Sequence, residues 1–258
     1  MNNCILTAAS QNISQDLCRF LRSARKHHPN DNIVVMMPDY STSTEFCAFL
    51  KQEYKTMVGL YGLSLCSNLA DLMTMRFRMY KQYLDQVNHD RVFMCDCRDL
   101  HFQGSIFDYS FNTDIVCFQE HNKIKDNPIA NGWLNIFADP KVKEQMGNSY
   151  NLCLGTLLGT QEGTNKFIEQ FLQKMFDSKL PLNNDQIIFN YMIHTNSFVD
   201  ITHTIETNTA GPVATIGDQD AHSSVVVKEG VVYIGDHRPA VVHQYDRLPL
   251  ETQNNITL

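Results

Sequence analysis

An apolar run that ends abruptly in two carboxylates is the part of this chain with the clearest chemical potential. Arg91 to Cys95 has the make-up of a buried strand; Asp96 stops the run and Asp99 follows, with Arg98 between them. Acids at the carboxyl end of an interior strand stand where open α/β sheets bind their ligands. Carboxylates this close repel each other unless a cation neutralises them, and hard oxygen donors suit Mg²⁺ or Mn²⁺. A loop acid pair held by Arg98 and nearby backbone amides fits the same spacing, so these residues alone leave both arrangements open.

Four further residues could join that chemistry. Arg76 falls on the apolar stripe of a helix expected over 68–87, with Leu69, Met73, Tyr80, Tyr83 and Val87. A guanidinium on a core-facing stripe is costly unless it meets an anion, either a ligand phosphate or sugar or the acids Asp96 and Asp99. Pro239 to Tyr245 reads as a last strand running into His243 and Asp246-Arg247, and alternation puts His243 on one face with Val241. It is either a buried histidine bonded to backbone or an imidazole completing a metal site. Asp185 follows Asn183, a good N-cap, and the helix dipole alone explains an acid in a first turn. Trp133, the only tryptophan, is either a packing anchor or a platform for a sugar ring. The adjacent His27 and His28 do not share a helix face and suit a helix C-terminus.

The elements that must position these groups are legible as alternating patterns. Cys4 to Ala9 reads as a buried strand, running into small residues where a backbone could approach a ligand. Ile13, Leu17, Phe20, Leu21 and Ala24 then repeat at helical spacing. Asn32 to Met37 is a second strand; Thr42 and Glu45 have capping-box spacing ahead of a second helix, and Met57 to Tyr61 is a third strand. This β-α-β-α-β order implies a parallel sheet with right-handed crossovers. Ile115 to Phe118 adds a strand. The stretch 121–149 holds Pro128, Gly132, Pro140 and Gly147 and reads as an irregular, substrate-facing insertion. Tyr150 to Gly159 is a strand whose Gly155 implies close backbone approach; amphipathic helices follow around Phe167–Met175 and after the opening Asn183-Asn184-Asp185-Gln186. Ser224 to Ile234 reads as a hairpin around Lys228-Glu229-Gly230. The expected fold class is α/β, one domain over 1–258, with a mostly parallel central sheet flanked by helices and a small C-terminal antiparallel β element.

Composition narrows the function classes. With 258 residues, 43% hydrophobic and 19% charged, the chain can bury a sizeable core. A formal net charge of -7 without a Lys/Arg cluster argues against nucleic acid as a partner. No window reaches the length of a membrane span, and the start lacks a basic, apolar leader, so a cytoplasmic location is expected. The eight cysteines form no Cys-x-x-Cys pair and read as reduced core residues.

Val92 to Phe107 (VFMCDCRDLHFQGSIF) resembles the strand, D-x-R-D and F-Q signature of glycosyltransferase-like proteins from plants, algae and large DNA viruses. Taken with the element order from Cys4 to Arg247, the chain is similar to nucleotide-sugar-dependent glycosyltransferases of the GT-A fold. The resemblance implies that Asp96, Asp99 and His243 hold Mn²⁺ or Mg²⁺ against the diphosphate of a sugar nucleotide, UDP by family habit. It places Arg76 on the donor and Thr7, Ala8 and Ala9 around base and ribose. Asn151 would line the sugar pocket, with Leu152 and Cys153 where small residues are usual, and Asp185-Gln186 would lie at the reacting centre. Val242 to Arg247 is similar to the late histidine motif that closes over the diphosphate. Arg98 departs from the common D-x-D spelling, which leaves open which acid touches the ion. The implied partners are a nucleotide-sugar donor and a glycan or glycoprotein acceptor, and the Asn151 and Asp185-Gln186 elements lean toward retaining enzymes. The rival functions are a sugar nucleotidyltransferase, whose Gly-rich basic loop is missing after the first strand, and a glycan- or sugar-nucleotide-binding protein without turnover.

Overall fold

Residues 1–61, 69–137, 139–178 and 185–256 are described by the computed structural model. The first half alternates strand and helix: β1 (Asn3–Ala8), α1 (Ser14–His27), β2 (Asn32–Pro38), α2 (Thr44–Tyr54), β3 (Met57–Tyr61), α3 (Leu69–Leu84) and β4 (Arg91–Cys95). β5 (Leu100–Phe102), β6 (Ile115–Lys123), α4 (Pro128–Phe137), α5 (Pro140–Gly147), β7 (Tyr150–Thr160), α6 (Gln161–Ser178) and α7 (Asp185–His194) follow. The chain then runs through β8 (His203–Glu206), β9 (Val213–Thr215), β10 (Val225–Lys228), β11 (Val231–Ile234) and β12 (Val241–His243).

Seven strands form the central sheet in the order β3-β2-β1-β4-β7-β6-β8. β1 is parallel to β2 and β4, and β2 to β3; β7 runs antiparallel to both β4 and β6, and β6 is parallel to β8. Helices cover both faces, so the inner strands bury successive residues into opposite layers. Leu6, Val34 and Met94 join Phe77, Phe167 and Phe189 on one side, while Ile5, Val35 and Phe93 join Phe20, Leu21 and Phe102 on the other. Two small sheets complete the fold: the β10–β11 hairpin and a three-stranded sheet in the order β5-β12-β9. The hairpin turns on Glu229 and Gly230, both with positive φ (51° and 81°), the geometry a two-residue hairpin loop requires. Among the described residues no helix is long and apolar enough to cross a membrane.

Three local expectations change. Ser43, not Thr42, caps α2: its Oγ accepts from the Phe46 N–H at 3.1 Å, while the Thr42 hydroxyl is committed to the Pro38 carbonyl at 2.5 Å. The stretch 121–149 is mainly ordered structure, namely the end of β6, α4 and α5. Its prolines start helices instead of breaking them, because Pro at the first helical position gives up an N–H that would have no partner. Asn127 Oδ1 accepts from the amides of Ile129 and Ala130, and Asp139 Oδ1 from those of Lys141 and Val142. The last strand is only three residues long, since Gln244 turns out of it at φ 62°. Asn68 and Asn183 lie outside the described residues.

Candidate metal and ligand site

The acid loop is held in place by backbone pairing on both sides. The Asp96 N–H donates to the Gly155 carbonyl of β7 at 2.8 Å, which extends the β4–β7 ladder by one residue. After Asp99 the chain enters β5, which pairs antiparallel with β12 so that Leu100 lies opposite His243. The Gln244 N–H donates to the Asp99 carbonyl at 2.7 Å. A strand from the far end of the chain thus delivers His243 to the two acids.

His243 Nε2 stands 3.4 Å from Asp99 Oδ1 and 3.7 Å from Asp96 Oδ2. One donor atom from each of the three residues falls within 4.8 Å of the others. On the other edge of the imidazole, Nδ1 meets Cys153 Sγ at 3.4 Å and Thr215 Oγ1 at 3.5 Å, which fixes the ring and turns Nε2 toward the carboxylates. His243 is 1% exposed, and beyond its ion-pair contacts with Asp96 and Asp99 its buried Nε2 has no hydrogen-bond partner among the described residues. Two carboxylates and an imidazole nitrogen of this kind fit a divalent cation of the Mn²⁺ or Mg²⁺ class.

The electrostatics favour the charged forms. Burial by itself raises the Asp96 carboxyl, but the Arg76 guanidinium and His243 outweigh it and hold it at about 2. Asp99 is likewise lowered: burial opposes ionisation, and His243 overcomes it. Burial disfavours a charged His243, yet Cys153 and the two carboxylates beside it raise it well above its ordinary value. The cluster therefore attracts positive charge, as a proton or as a bound ion.

Arg76, 5% exposed, meets protein anions: Nη1 bonds Asp96 Oδ1, and Nη2 lies 3.5 Å from Asp185 Oδ2. Asp185 opens α7, and burial raises its carboxyl despite Arg76. Arg98 Nη2 lies 3.2 Å from Asp246 Oδ2 and 3.5 Å from Asp99 Oδ2, so it pairs with the acid next to it.

Two clefts share Arg76, Asp96 and Gln244. The larger, about 330 Å³, is bounded by Ala8, Ala9, Ser10, Arg98, Asp99 and Arg247. The smaller, about 210 Å³, is bounded by Trp133, Cys153, Gly155, Asp185, Gln186 and His243. Ala8 and Ala9 thus border the larger cleft, whereas Thr7, buried as Ala9 is, does not line it. Trp133 both packs on the core and walls the smaller cleft. The close approach expected at Gly155 is now specific: a Cβ there would lie 2.5 Å from Asp96 Oδ2 and 2.8 Å from His243 Cε1.

Asn151 is buried and donates to Glu120 Oε2, while Gln186 Nε2 donates to Glu120 Oε1 at 2.9 Å. Sequence reasoning missed Glu120. Burial, with Asp218 nearby, raises its carboxyl against the two amides that lower it. It stands just past a buried apolar run, as Asp96 does, but no second acid follows within three residues and its partners are neutral amides. Thr215 and Gln244 were missed as well, because neither stands in a pattern of its own.

Among solved structures, the chain superposes on glycosyltransferase GlyE of Streptococcus pneumoniae TIGR4 with a TM-score of 0.56 at 13% identity, covering 94% of this chain and 55% of GlyE. The galactosyltransferase LgtC, in complex with donor and acceptor sugar analogs, gives 0.56 at 13% identity over 94% of this chain and 87% of LgtC. An active-site mutant of LgtC gives 0.60 at 13% identity over 98% and 93%. The fold is the GT-A fold of these glycosyltransferases. The chain spans about half the length of GlyE. No protein-family model and no curated protein matches the sequence. Within this GT-A fold, the Asp-Asp-His cluster and both clefts gather where β4 ends beside β7.

Proposed function

We propose that this protein is a metal-dependent glycosyltransferase that moves a sugar from a nucleoside-diphosphate sugar, a UDP-sugar by resemblance, to a hydroxyl of a glycan or protein-linked acceptor. One observation carries this reading: Asp96, Asp99 and His243 converge in a GT-A fold where two clefts meet, with Asp96 bordering both, Asp99 the larger and His243 the smaller. Residues 1–110 would be the nucleotide-binding half of one domain, 111–250 the sugar and acceptor half, and 251–258 a tail. The three side chains would hold Mn²⁺ or Mg²⁺. When bound, the ion offsets the negative charge that gathers on a departing diphosphate.

The chain's own groups then divide the work. Arg76, already buried and charged, adds a fixed positive charge beside the same leaving group. Ala8 and Ala9 give the larger cleft a small-residue wall that base and ribose can approach closely. Asp185 and Gln186 face the smaller cleft, where Asp185 can position an acceptor hydroxyl or take its proton. The Asn151 and Asp185-Gln186 elements favour the retaining course. One neighbour, LgtC, is known as a glutamine-to-glutamate active-site mutant, which directs attention to Gln186 here.

Calorimetric titration with Mn²⁺ and UDP, followed by incubation with a panel of UDP-sugars, tests the reading. Expected are Mn²⁺-dependent UDP binding and slow release of UDP from a sugar nucleotide. Both should be lost in Asp99→Ala, with the metal-free melting temperature broadly kept, and weakened in His243→Ala. Pyrophosphate release would point to a nucleotidyltransferase, and binding without release to a non-catalytic protein. Unaltered Mn²⁺ dependence in His243→Ala would remove the proposed ligand set.

A further inference from the structure

Glu120 is buried beside the smaller cleft without a cationic partner among the described residues. Side-chain amides occupy both of its oxygens, Asn151 Nδ2 on Oε2 and Gln186 Nε2 on Oε1. A carboxylate can only accept, so it dictates which end of each amide faces it. For Gln186 this matters, because Gln186 also borders the cleft. With one N–H of the NH₂ committed to Glu120, the amide sense is set and the carbonyl oxygen is turned away from Glu120 as the acceptor left for a ligand. The backbone around Gln186 is pinned too. Asn190 Nδ2 donates to the Gln186 carbonyl at 2.8 Å and to the Leu152 carbonyl at 3.0 Å, and Asn190 Oδ1 accepts from the Leu152 N–H at 2.8 Å. The first turn of α7 is thereby tied to β7, and the amide sense of Gln186 is the remaining variable.

We infer that Glu120 is a positioning residue that fixes the sense of the Gln186 amide, so that the sugar cleft offers an acceptor and selects a donor sugar with a free ring hydroxyl against it. This rests on the glycosyltransferase reading and adds to it the group that sets sugar preference. A hydroxyl donates to the Gln186 oxygen; a fluorine at the same carbon cannot, and a buried acceptor left unmatched is penalised.

The sole tryptophan, Trp133, lies in the wall of this cleft, so its fluorescence reports ligand directly. UDP, UDP-galactose and UDP-glucose are titrated in the presence of Mn²⁺ into wild type and Glu120→Gln. The substituted amide must donate as well as accept; if Glu120 sets the sense of Gln186, then Gln186, which borders the cleft, is the partner that turns round. The expected result is UDP affinity within about twofold of wild type and affinity for the preferred UDP-sugar lower by about tenfold or more. The double exchange Glu120→Gln with Gln186→Glu keeps the bond between the two residues and returns an acceptor oxygen to the cleft, so it should recover most of the loss. It also serves if the single variant does not fold. Equal losses for UDP and UDP-sugar, no loss, or no recovery in the double variant would overturn the inference while the wider reading stands. Wild type that fails to bind UDP with Mn²⁺ would overturn both.

Discussion

Replacing Gly155 with alanine adds one methyl group at the point where β7 touches two of the three proposed metal ligands. The new Cβ would sit 2.5 Å from Asp96 Oδ2, and ordinary contact begins near 3.4 Å, so the carboxylate retreats by about 0.9 Å. The imidazole carbon, at 2.8 Å, must move as well. Metal–ligand distances tolerate only about 0.2 Å either way, so a shift of this size breaks the shared geometry even though no ligand is removed. Disturbing the groups that orient ligands typically costs about 10–100-fold in metal affinity, or about 1.4–2.8 kcal/mol. Stability should suffer less. Overpacking costs about 1–3 kcal/mol, and the stiffer unfolded chain offsets about 0.4–1 kcal/mol of that. Mn²⁺ titration by calorimetry or electron paramagnetic resonance should therefore show affinity down by one to two orders of magnitude, with a melting temperature only a few degrees lower. Wild-type Mn²⁺ affinity in Gly155→Ala would refute the placement of an ion between Asp96 and His243.

Removing the guanidinium in Arg76→Met leaves the buried Asp185 and the partly exposed Asp96 without their counter-charge, a loss toward the lower end of about 3–5 kcal/mol in metal-free buffer. Mn²⁺ should restore part of it, so the metal-induced rise in melting temperature should exceed that of wild type; an equal rise would argue against Asp96 as a ligand. Remote from the site, His28 is fully buried between Phe102 and Phe107, with Nδ1 2.9 Å from Asp31 Oδ2 and Nε2 accepting from the Ile106 N–H at 3.4 Å. Burial lowers its pKa despite Asp31, so the fold holds the neutral ring. Its contribution is complete above the unfolded value of about 6.5 and declines as pH falls below that. Urea unfolding between pH 8 and 5 should show wild type losing more stability than His28→Gln, and parallel curves would contradict a neutral buried ring.

The parallel half of the sheet was open to reading because its strands are long enough to show pattern. Cys4, Ile5 and Leu6, or Val92, Phe93 and Met94, are apolar at every position, as strands covered on both faces must be. The acids at 96 and 99 stood out because they interrupt such a run, and His243 because it alternates with Val241. What joined them was not legible. β5, β9 and β12 have three residues each, too few for any periodicity, and their pairing joins segments from opposite ends of the chain. The helices α4 and α5 were hidden by Pro128 and Pro140, residue types that punctuate most structure but also begin helices when an Asn or Asp side chain caps the turn. Thr42 lost the cap of α2 to Ser43 because a backbone carbonyl claimed its hydroxyl, a competition that spacing rules do not register. Glu120 stayed unremarked because its partners, Asn151 and Gln186, are neutral amides that carry no charge pattern.

The pairing of β5 with β12 has a consequence for how this centre comes into being. Asp96 and Asp99 belong to the early-sequence half, but the imidazole arrives only when the C-terminal segment docks, so an incomplete chain could assemble much of the main sheet and still lack the third donor. If the proposed ligand set holds a cation, its capture and the docking of β12 are linked by mass action: a bound cation would clamp the closing strand, and loosening that strand would release the cation.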